Sequence, residues 1–579
     1  MTLCQCRALA VASSKRIVRI NLIKTKSVSG SRMQISSESA ARKARGAFFT
    51  PPEVADFLAE WAVRSSEDRL LEPSCGEAVF LLSAMERLKS HGSLGVDPQQ
   101  VVGMDIHHDS VNLAKKLIEG RGQADLKVAD FFYVEPEKTF DVVLGNPPYV
   151  RYQSFSGEAR ARAKAAALAQ GVRLDGLASS WAAFTVHAAA FLRNGGRMAL
   201  VLPAELLSVN YAAPIRTFLL RRFANVRLVL FEKRVFPGVL EDVVLLLAEG
   251  EGPTDHFEVL QARDAFGLKA LKASTQYQPK PTDLKWTTAL LEPKAASAYA
   301  ELVEKGVFTN LEAWGETDLG MVTGNNKFFA LTEAEVSEFG IAENDLVRIS
   351  PPGSRHLRGL TFSAALWKEL ARAGRRVYLF YPNGDELSES AWRYIESGEK
   401  RNVQQAYKCR VRRPWWRVPK ISSPDLFLTY MNHDAPRLVA NRAGVSHLNS
   451  VHGVSLDPRY RKLGMDLLPI AALNSATLLG AELVGRSYGG GMLKLEPKEA
   501  DRLPVPSPQT LEQCAAELRA LRPQLSKHLR NSNLKEAVKM VDRVLLLQGV
   551  GVKSSDIELM RVGREALFNR RASRAKEDS

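Results

Sequence analysis

Asp141-Val142-Val143-Leu144-Gly145-Asn146-Pro147-Pro148-Tyr149 runs from a short apolar strand straight into a turn suited to holding a ligand. Val142 to Leu144 reads as a buried parallel strand, and Gly145 lets the backbone turn sharply at its end. Asn146 follows, then two prolines that fix φ and remove two backbone donors, then an aromatic ring. In an open α/β sheet, ligands sit at the carboxyl ends of the strands. There Asn146 offers a side-chain carbonyl, and Pro147 a backbone carbonyl with no competing donor on its own nitrogen. Together they can accept both hydrogens of an exocyclic amino group, while Tyr149 offers a flat surface for stacking. The turn suits a flat, amino-bearing heterocycle.

Outward from this turn, helical spacing and short apolar strands alternate between Arg45 and about Ala248, the pattern of a doubly wound α/β sheet. The predicted strands are Arg69–Leu71, Val101–Asp105, Leu126–Val128, Val142–Leu144, Arg197–Leu202, Val226–Phe231 and Val243–Ala248. The predicted helices are Val54–Val63, Val79–Leu88, Val111–Ile118 and Trp181–Leu192. Beyond roughly Lys280, prolines, tryptophans and basic residues mix with short strands, as in an irregular α+β domain. After Pro508 the chain is helical again, with a mixed-charge face over Thr510 to Leu547. The expected divisions are a basic tail over residues 1–40, the sheet domain over 41–275, the α+β domain over 276–508 and a helical extension over 509–579.

A chain of 579 residues exceeds what one core usually supports, about 250–300 residues, so two or three domains are expected. The net charge of +15 favours a polyanionic partner, nucleic acid or an acidic membrane surface. No apolar run has the length needed to span a bilayer. Five scattered cysteines make neither a disulfide framework nor a zinc set, which fits a reducing cytoplasm. The tail carries Arg7, Lys15, Arg16, Arg19, Lys24, Lys26 and Arg32 against Glu38 alone. It reads as a solvated segment, an over-extended start with Met33 as the true one, or a basic arm on DNA.

Leu70-Leu71-Glu72-Pro73-Ser74-Cys75-Gly76-Glu77-Ala78-Val79-Phe80 is a strand, a tight turn and a helix start, the first βα unit of a nucleotide-binding sheet. Such a turn is often only a turn. The next strand ends in Asp105, placed to take both hydroxyls of a ribose, and the third ends in Asp130-Phe131. An acid followed by an aromatic can accept from an adenine amino group and pack on its ring; a capping Asp and a core Phe are the plainer alternatives. His107 and His108 lack metal-ligand spacing and read as surface or packing residues. The order carries the weight: turn, ribose acid, adenine acid, then Asn-Pro-Pro-Tyr, each on a successive strand.

From about Arg45 to Pro506 the chain resembles the N6-adenine DNA methyltransferases of restriction–modification systems, of the gamma order. In these the cofactor motifs come first and target recognition last. The resemblance implies a Rossmann-like, S-adenosylmethionine-dependent sheet domain and a C-terminal α+β target-recognition domain. Gly46-Ala47-Phe48-Phe49-Thr50-Pro51-Pro52 is similar to the N-terminal cofactor motif, with Thr50 at the methionine part. Glu72, Pro73, Cys75 and Gly76 lie in the stretch that resembles the wrap around S-adenosylmethionine. Asp105, with Ile106, would hold the ribose, and Asp130 with Phe131 the cofactor adenine. Asn146, Pro147, Pro148 and Tyr149 match the catalytic tetrapeptide, Asn146 also bordering the cofactor. Val235-Phe236-Pro237 resembles the motif whose aromatic, here Phe236, forms the other wall of the target pocket. Ala78 stands where many members have Gly; it is small enough that binding is expected to survive.

The resemblance further implies duplex DNA as substrate, flipping of the target adenine, and no need for a strong general base. Gly320 to Phe328 is similar to the start of the family's recognition domain. Tyr407 to Arg417 interleaves cations and aromatics, so Arg410, Arg412, Arg413, Trp415, Trp416 and Arg417 are candidate DNA contacts. The alternative is tryptophans in the core and arginines in solvent. Tyr488 to Leu495 reads as a loop near DNA or a plain turn. Other readings are an RNA or protein-glutamine methyltransferase, or a non-catalytic DNA-binding subunit. No nuclease fold is legible, so any restriction activity would come from a separately encoded endonuclease.

Overall fold

The computed structural model describes residues 50–93, 97–233, 235–236, 242–271, 274–279, 285–382, 387–419 and 422–576. The basic tail, Gly46 to Phe49 and Pro237 lie outside the described residues.

Leu70–Glu72 (β1) and Phe140–Gly145 (β4) are buried at every position, as strands covered on both faces must be. They pair in parallel at the centre of a sheet. Among the described residues this sheet has nine strands in the order β3-β2-β1-β4-β5-β7-β6-β8-β9. The others are Val101–Asp105 (β2), Asp125–Val128 (β3), Leu192–Pro203 (β5), Asn225–Phe231 (β6), Val243–Glu249 (β7), Phe257–Ala262 (β8) and Thr275–Tyr277 (β9). The chain leaves β1 outward through β2 and β3 and returns to β4 on the other side of β1. The order therefore reverses between β1 and β4, which opens a crevice at their carboxyl ends. β7 is antiparallel between β5 and β6, and β8 and β9 extend the sheet beyond Ala248.

Pro52–Ala62 (α1) starts behind Pro51 with a proline in its first turn, where a missing N–H costs nothing, and buries Val54, Ala55, Leu58, Ala59 and Ala62. Val79–Ser90 (α2) and His108–Ile118 (α3) bury their apolar stripes likewise. Gly157–Ala169 (α4) was not foreseen, because an alanine- and arginine-rich helix that buries only Ala163 and Ala167 has little apolar periodicity. Ser180–Ala189 (α5) ends earlier than the predicted Trp181–Leu192, since Leu192 already opens β5.

Beyond the sheet, Gly315–Leu319, Val451–Leu456, Leu426–Thr429, Leu438–Asn441 and Thr361–Phe362 pair in that order as a five-stranded sheet. Its core of Trp314, Leu426, Val454, Leu467 and Leu479 continues into Leu518, Leu525, Leu545 and Met560. The helices after Pro508 thus share the core of the α+β part. A smaller core joins Phe328, Phe329, Phe380, Tyr394 and Val418. Residues 285–287 fasten the two parts together. The Trp286 N–H donates to the Leu207 carbonyl (2.8 Å) and its ring stacks on Phe257, while Lys285 pairs with Glu499 at 3.0 Å. Among the described residues no single helix is long and apolar enough to cross a membrane.

Burial pulls His356 and His447 in the α+β part down to about 4. In the unfolded chain each titrates near 6.5, so below that pH the unfolded state binds protons that the folded state does not. Stability is therefore expected to be full above pH 6.5 and to fall as the pH drops towards 4. Urea unfolding at pH 7.5 and pH 5 checks this, and His356→Gln with His447→Gln should narrow the difference.

Candidate active site

Asn146 leaves β4 beside the β1–α2 turn. Gly145 has φ 151°, a conformation that side chains disfavour, so glycine permits the turn. The Asn146 amide Nδ2 donates to Thr50 Oγ1 at 3.3 Å, and its main-chain carbonyl accepts from Ser74 Oγ at 3.1 Å. Its Oδ1 is buried with no hydrogen-bond partner. The Tyr149 hydroxyl donates to the Val201 carbonyl on β5 at 3.0 Å, which fixes the ring.

On the β1 side, Glu72 is 1% exposed, with Oε2 unpartnered. Burial holds its carboxyl well above the usual range, helped by the nearby charge of Asp105 and opposed by the Leu81 N–H. Pro73 is buried beside it. Burial likewise raises the Cys75 thiol, which stays protonated. The Gly76 N–H donates to Asp105 Oδ2 at 3.0 Å, and Asp105 Oδ1 accepts from the His107 N–H at 2.8 Å. Asp105 therefore ties the tip of β2 to the turn after β1. Ile106 beside it is 59% exposed, an open apolar surface at the strand ends. Ala78 takes φ 63°, ψ 20° just before α2. That left-handed conformation favours glycine, so alanine is accommodated here against its backbone preference.

At the tip of β3, Asp130 Oδ1 accepts from the Phe132 N–H at 3.1 Å, so the capping role is realised. The Phe131 ring does not stand open as an adenine-stacking face. It is 3% exposed and lies among Phe184, His187 and Phe191, at centroid distances of 4.7, 4.6 and 5.1 Å. An apolar side chain between sheet and helix gains more from such a cluster than from a solvent edge. Phe236 is also buried. Thr50, Glu72, Gly76, Asp105 and Asn146 are thus joined by hydrogen bonds and packing. Ser74 was missed by the sequence reading, and a lone serine in a turn gives no signal.

The basic, aromatic segment divides residue by residue. Arg412 donates to the Val322 carbonyl and to that of Thr323 (2.8 Å), and Trp415 packs on Phe328 while its Nε1 donates to Glu399 at 3.1 Å. Both hold the fold together. Trp416 packs partly buried between Trp392 and Trp415. Arg410, Arg413 and Arg417 are exposed. Tyr488 to Leu495 is a hairpin of Arg486–Tyr488 and Met492–Lys494, and Arg571 from the final helix, Ser554–Lys576, donates to the Gly491 carbonyl at its tip.

The family model described as N-6 DNA methylase matches residues 34–305, and that of the type II methyltransferase M.Eco57I C-terminal domain matches residues 283–546. The chain is 21% identical over 471 residues to the type II methyltransferase M.AccI of Acinetobacter calcoaceticus, covering 80% of this chain and 85% of that one. It is 24% identical over 479 residues to M.XamI of Xanthomonas campestris pv. amaranthicola, covering 80% and 86%. Among solved structures, the type IIL restriction–modification enzyme MmeI in complex with DNA is similar. Its TM-score is 0.52 at 11% identity, covering 93% of this chain and 77% of MmeI.

Arg412→Ala is expected to lower stability by about 1–3 kcal/mol, since the Val322 carbonyl loses its charged donor and the Thr323 carbonyl keeps only the Cys409 thiol. Arg417→Ala should change stability by less than about 0.5 kcal/mol, as an exposed substitution. Denaturant unfolding of the two variants makes the comparison.

Proposed function

We propose that this chain, a type II restriction–modification DNA methyltransferase belonging to the N-6 DNA methylases, methylates N6 of adenine within a short duplex sequence, with S-adenosylmethionine as methyl donor. The observation that carries the reading is the Asn146 amide. Its Nδ2 is engaged by Thr50, so the buried Oδ1 is left as an acceptor in need of a donor. An exocyclic amino group provides that donor.

The residues around the β1–α2 turn fit the cofactor. The turn at Gly76 gives close backbone access, and the unpartnered Glu72 Oε2 suits the donors of an amino-acid head group. Asp105 offers its remaining lone pairs to ribose hydroxyls, Ile106 an apolar face, and Asp130 its second oxygen to the adenine edge. S-adenosylmethionine supplies a methyl group activated by its sulfonium charge. The chain's own residues position the acceptor. Flipping the target adenine costs a few kcal/mol in unstacking. Tyr149 and Phe236, both buried in the unbound chain, would become the walls once a base enters, returning about 1–3 kcal/mol per stacked contact. Asn146 Oδ1 and the Pro147 carbonyl would accept from the amino group and draw its nitrogen out of the ring plane, leaving its lone pair available to the methyl group, with the surplus N6 proton passing to water. Positioning and charge complementarity are the main contributions, and no strong general base is required. The arrangement follows the gamma order, with recognition by the part after residue 285. Duplex DNA is the partner.

Incubation with unmethylated genomic DNA and S-adenosylmethionine, followed by single-molecule sequencing, is expected to show N6-methyladenine in one short motif. Unmodified DNA would overturn the reading and favour an RNA or protein acceptor. Asn146→Ala should cut turnover by about two to three orders of magnitude, as loss of a positioned hydrogen-bonding group does, with cofactor affinity nearly unchanged. Asp105→Ala should instead weaken S-adenosylmethionine binding by about 1.5–3 kcal/mol in calorimetry.

A further inference from the structure

The turn after β4 cannot hold its own shape. Pro147 and Pro148 have no N–H, so two of the donors that would normally brace a tight turn are missing. The brace comes from the first residue of α5. The Ser180 hydroxyl donates to the Pro148 carbonyl and accepts from the Val150 N–H at 2.9 Å. The Ser180 N–H donates to the Val150 carbonyl at 3.0 Å. One residue, 2% exposed, therefore grips the chain on both sides of Tyr149. The far end of that tyrosine is pinned separately by its hydroxyl on Val201.

The start of α5 is itself anchored. The Tyr211 hydroxyl donates to Glu205 Oε2 and accepts from the Ser179 hydroxyl at 3.2 Å and from Trp181 Nε1 at 3.1 Å. Glu205 follows the carboxyl end of β5, so helix and sheet meet in one polar knot beside the turn. These side chains bond one another. Their consequence is the fixed position of residues 148–150.

We infer that Ser180 is a positioning residue for methyl transfer: its hydroxyl splints the Pro148–Val150 segment and so sets where the Pro147 carbonyl and the Tyr149 ring meet the target base. The inference rests on the proposed function. It separates Ser180 from the cofactor residues, which, Thr50 and Asn146 apart, belong to the β1, β2 and β3 ends. Loss of the hydroxyl should impair the transfer step while leaving cofactor binding alone. A displacement of the order of 1 Å at a reacting centre can cost about 100-fold in rate.

The test uses the full chain, tritiated S-adenosylmethionine and unmethylated genomic DNA under single-turnover conditions. Ser180→Ala is expected to slow transfer by about 10- to 100-fold, with cofactor affinity by calorimetry close to the parent's. The thermal midpoint falls somewhat, because the Pro148 carbonyl and the Val150 N–H lose a buried partner, while the protein stays folded at the assay temperature. Ser180→Thr, which keeps the hydroxyl, should recover most of the rate. Three outcomes would overturn the inference. One is a Ser180→Ala rate equal to the parent's, another a loss of rate that only follows loss of cofactor affinity or of the folded state at the assay temperature. The third is a threonine variant no faster than the alanine one. A parent chain that labels no DNA removes the proposed function itself, whereas an active parent with an unaffected alanine variant removes only the splint.

Discussion

The parallel pairing of β1 with β4, Leu70 against Val142 and Leu71 against Val143, determines where each candidate side chain stands. Because the strand order reverses at this pair, no crossover helix covers the gap between their carboxyl ends. Glu72 and Asn146 emerge there on adjacent strands. Asp105 sits one strand further out and reaches back to the Gly76 N–H. Gly145, at φ 151°, lets the chain turn out of β4 directly into Asn146. A residue with a Cβ would be strained in that conformation.

Around this pair the site is built from borrowed hydrogen bonds. The turn with two prolines has few donors of its own, and its neighbours provide the bracing: Thr50 and Ser74 at Asn146, Val201 at Tyr149 and Ser180 at Pro148 and Val150. A single neutral hydrogen bond contributes only about 0.5–1.5 kcal/mol net. Four anchors on separate elements nevertheless leave the turn little freedom. A site prepared this way has less ordering to do when its substrate arrives. The unpartnered oxygens of Asn146 and Glu72 are the cost of that preparation, tolerable where a ligand supplies the missing donors.

The second part of the molecule answers a different physical need. The surplus of positive charge in the chain attracts a polyanion, but charge alone does not define a surface. Some arginines of the 410–417 segment are consumed by the fold, as Arg412 is at the Val322 and Thr323 carbonyls, and others remain for solvent or a partner. The helices following Pro508 complete the α+β core through Leu518, Leu525 and Leu545. Their mixed-charge surface had suggested an appendage. A helix shows its exposed face in composition more plainly than the partner of its buried face.

By itself the sequence determined the α/β class, the order of the site elements and most of the candidate residues. These are local facts: the period of apolar residues, the acids at strand ends, and the Asn-Pro-Pro-Tyr turn. Several features were decided only in three dimensions. The antiparallel β7, the core burial of the Phe131 ring, the left-handed backbone at Ala78 and the grip of Ser180 on the turn all depend on neighbours distant in sequence. Val243–Glu249 reads as an apolar run whichever way it points, because direction is not written in hydropathy. A lone serine likewise becomes a brace only when packing brings a bare carbonyl within its reach. The local pattern specified which groups were available, and tertiary packing decided which of them the fold consumed and which it left for a ligand.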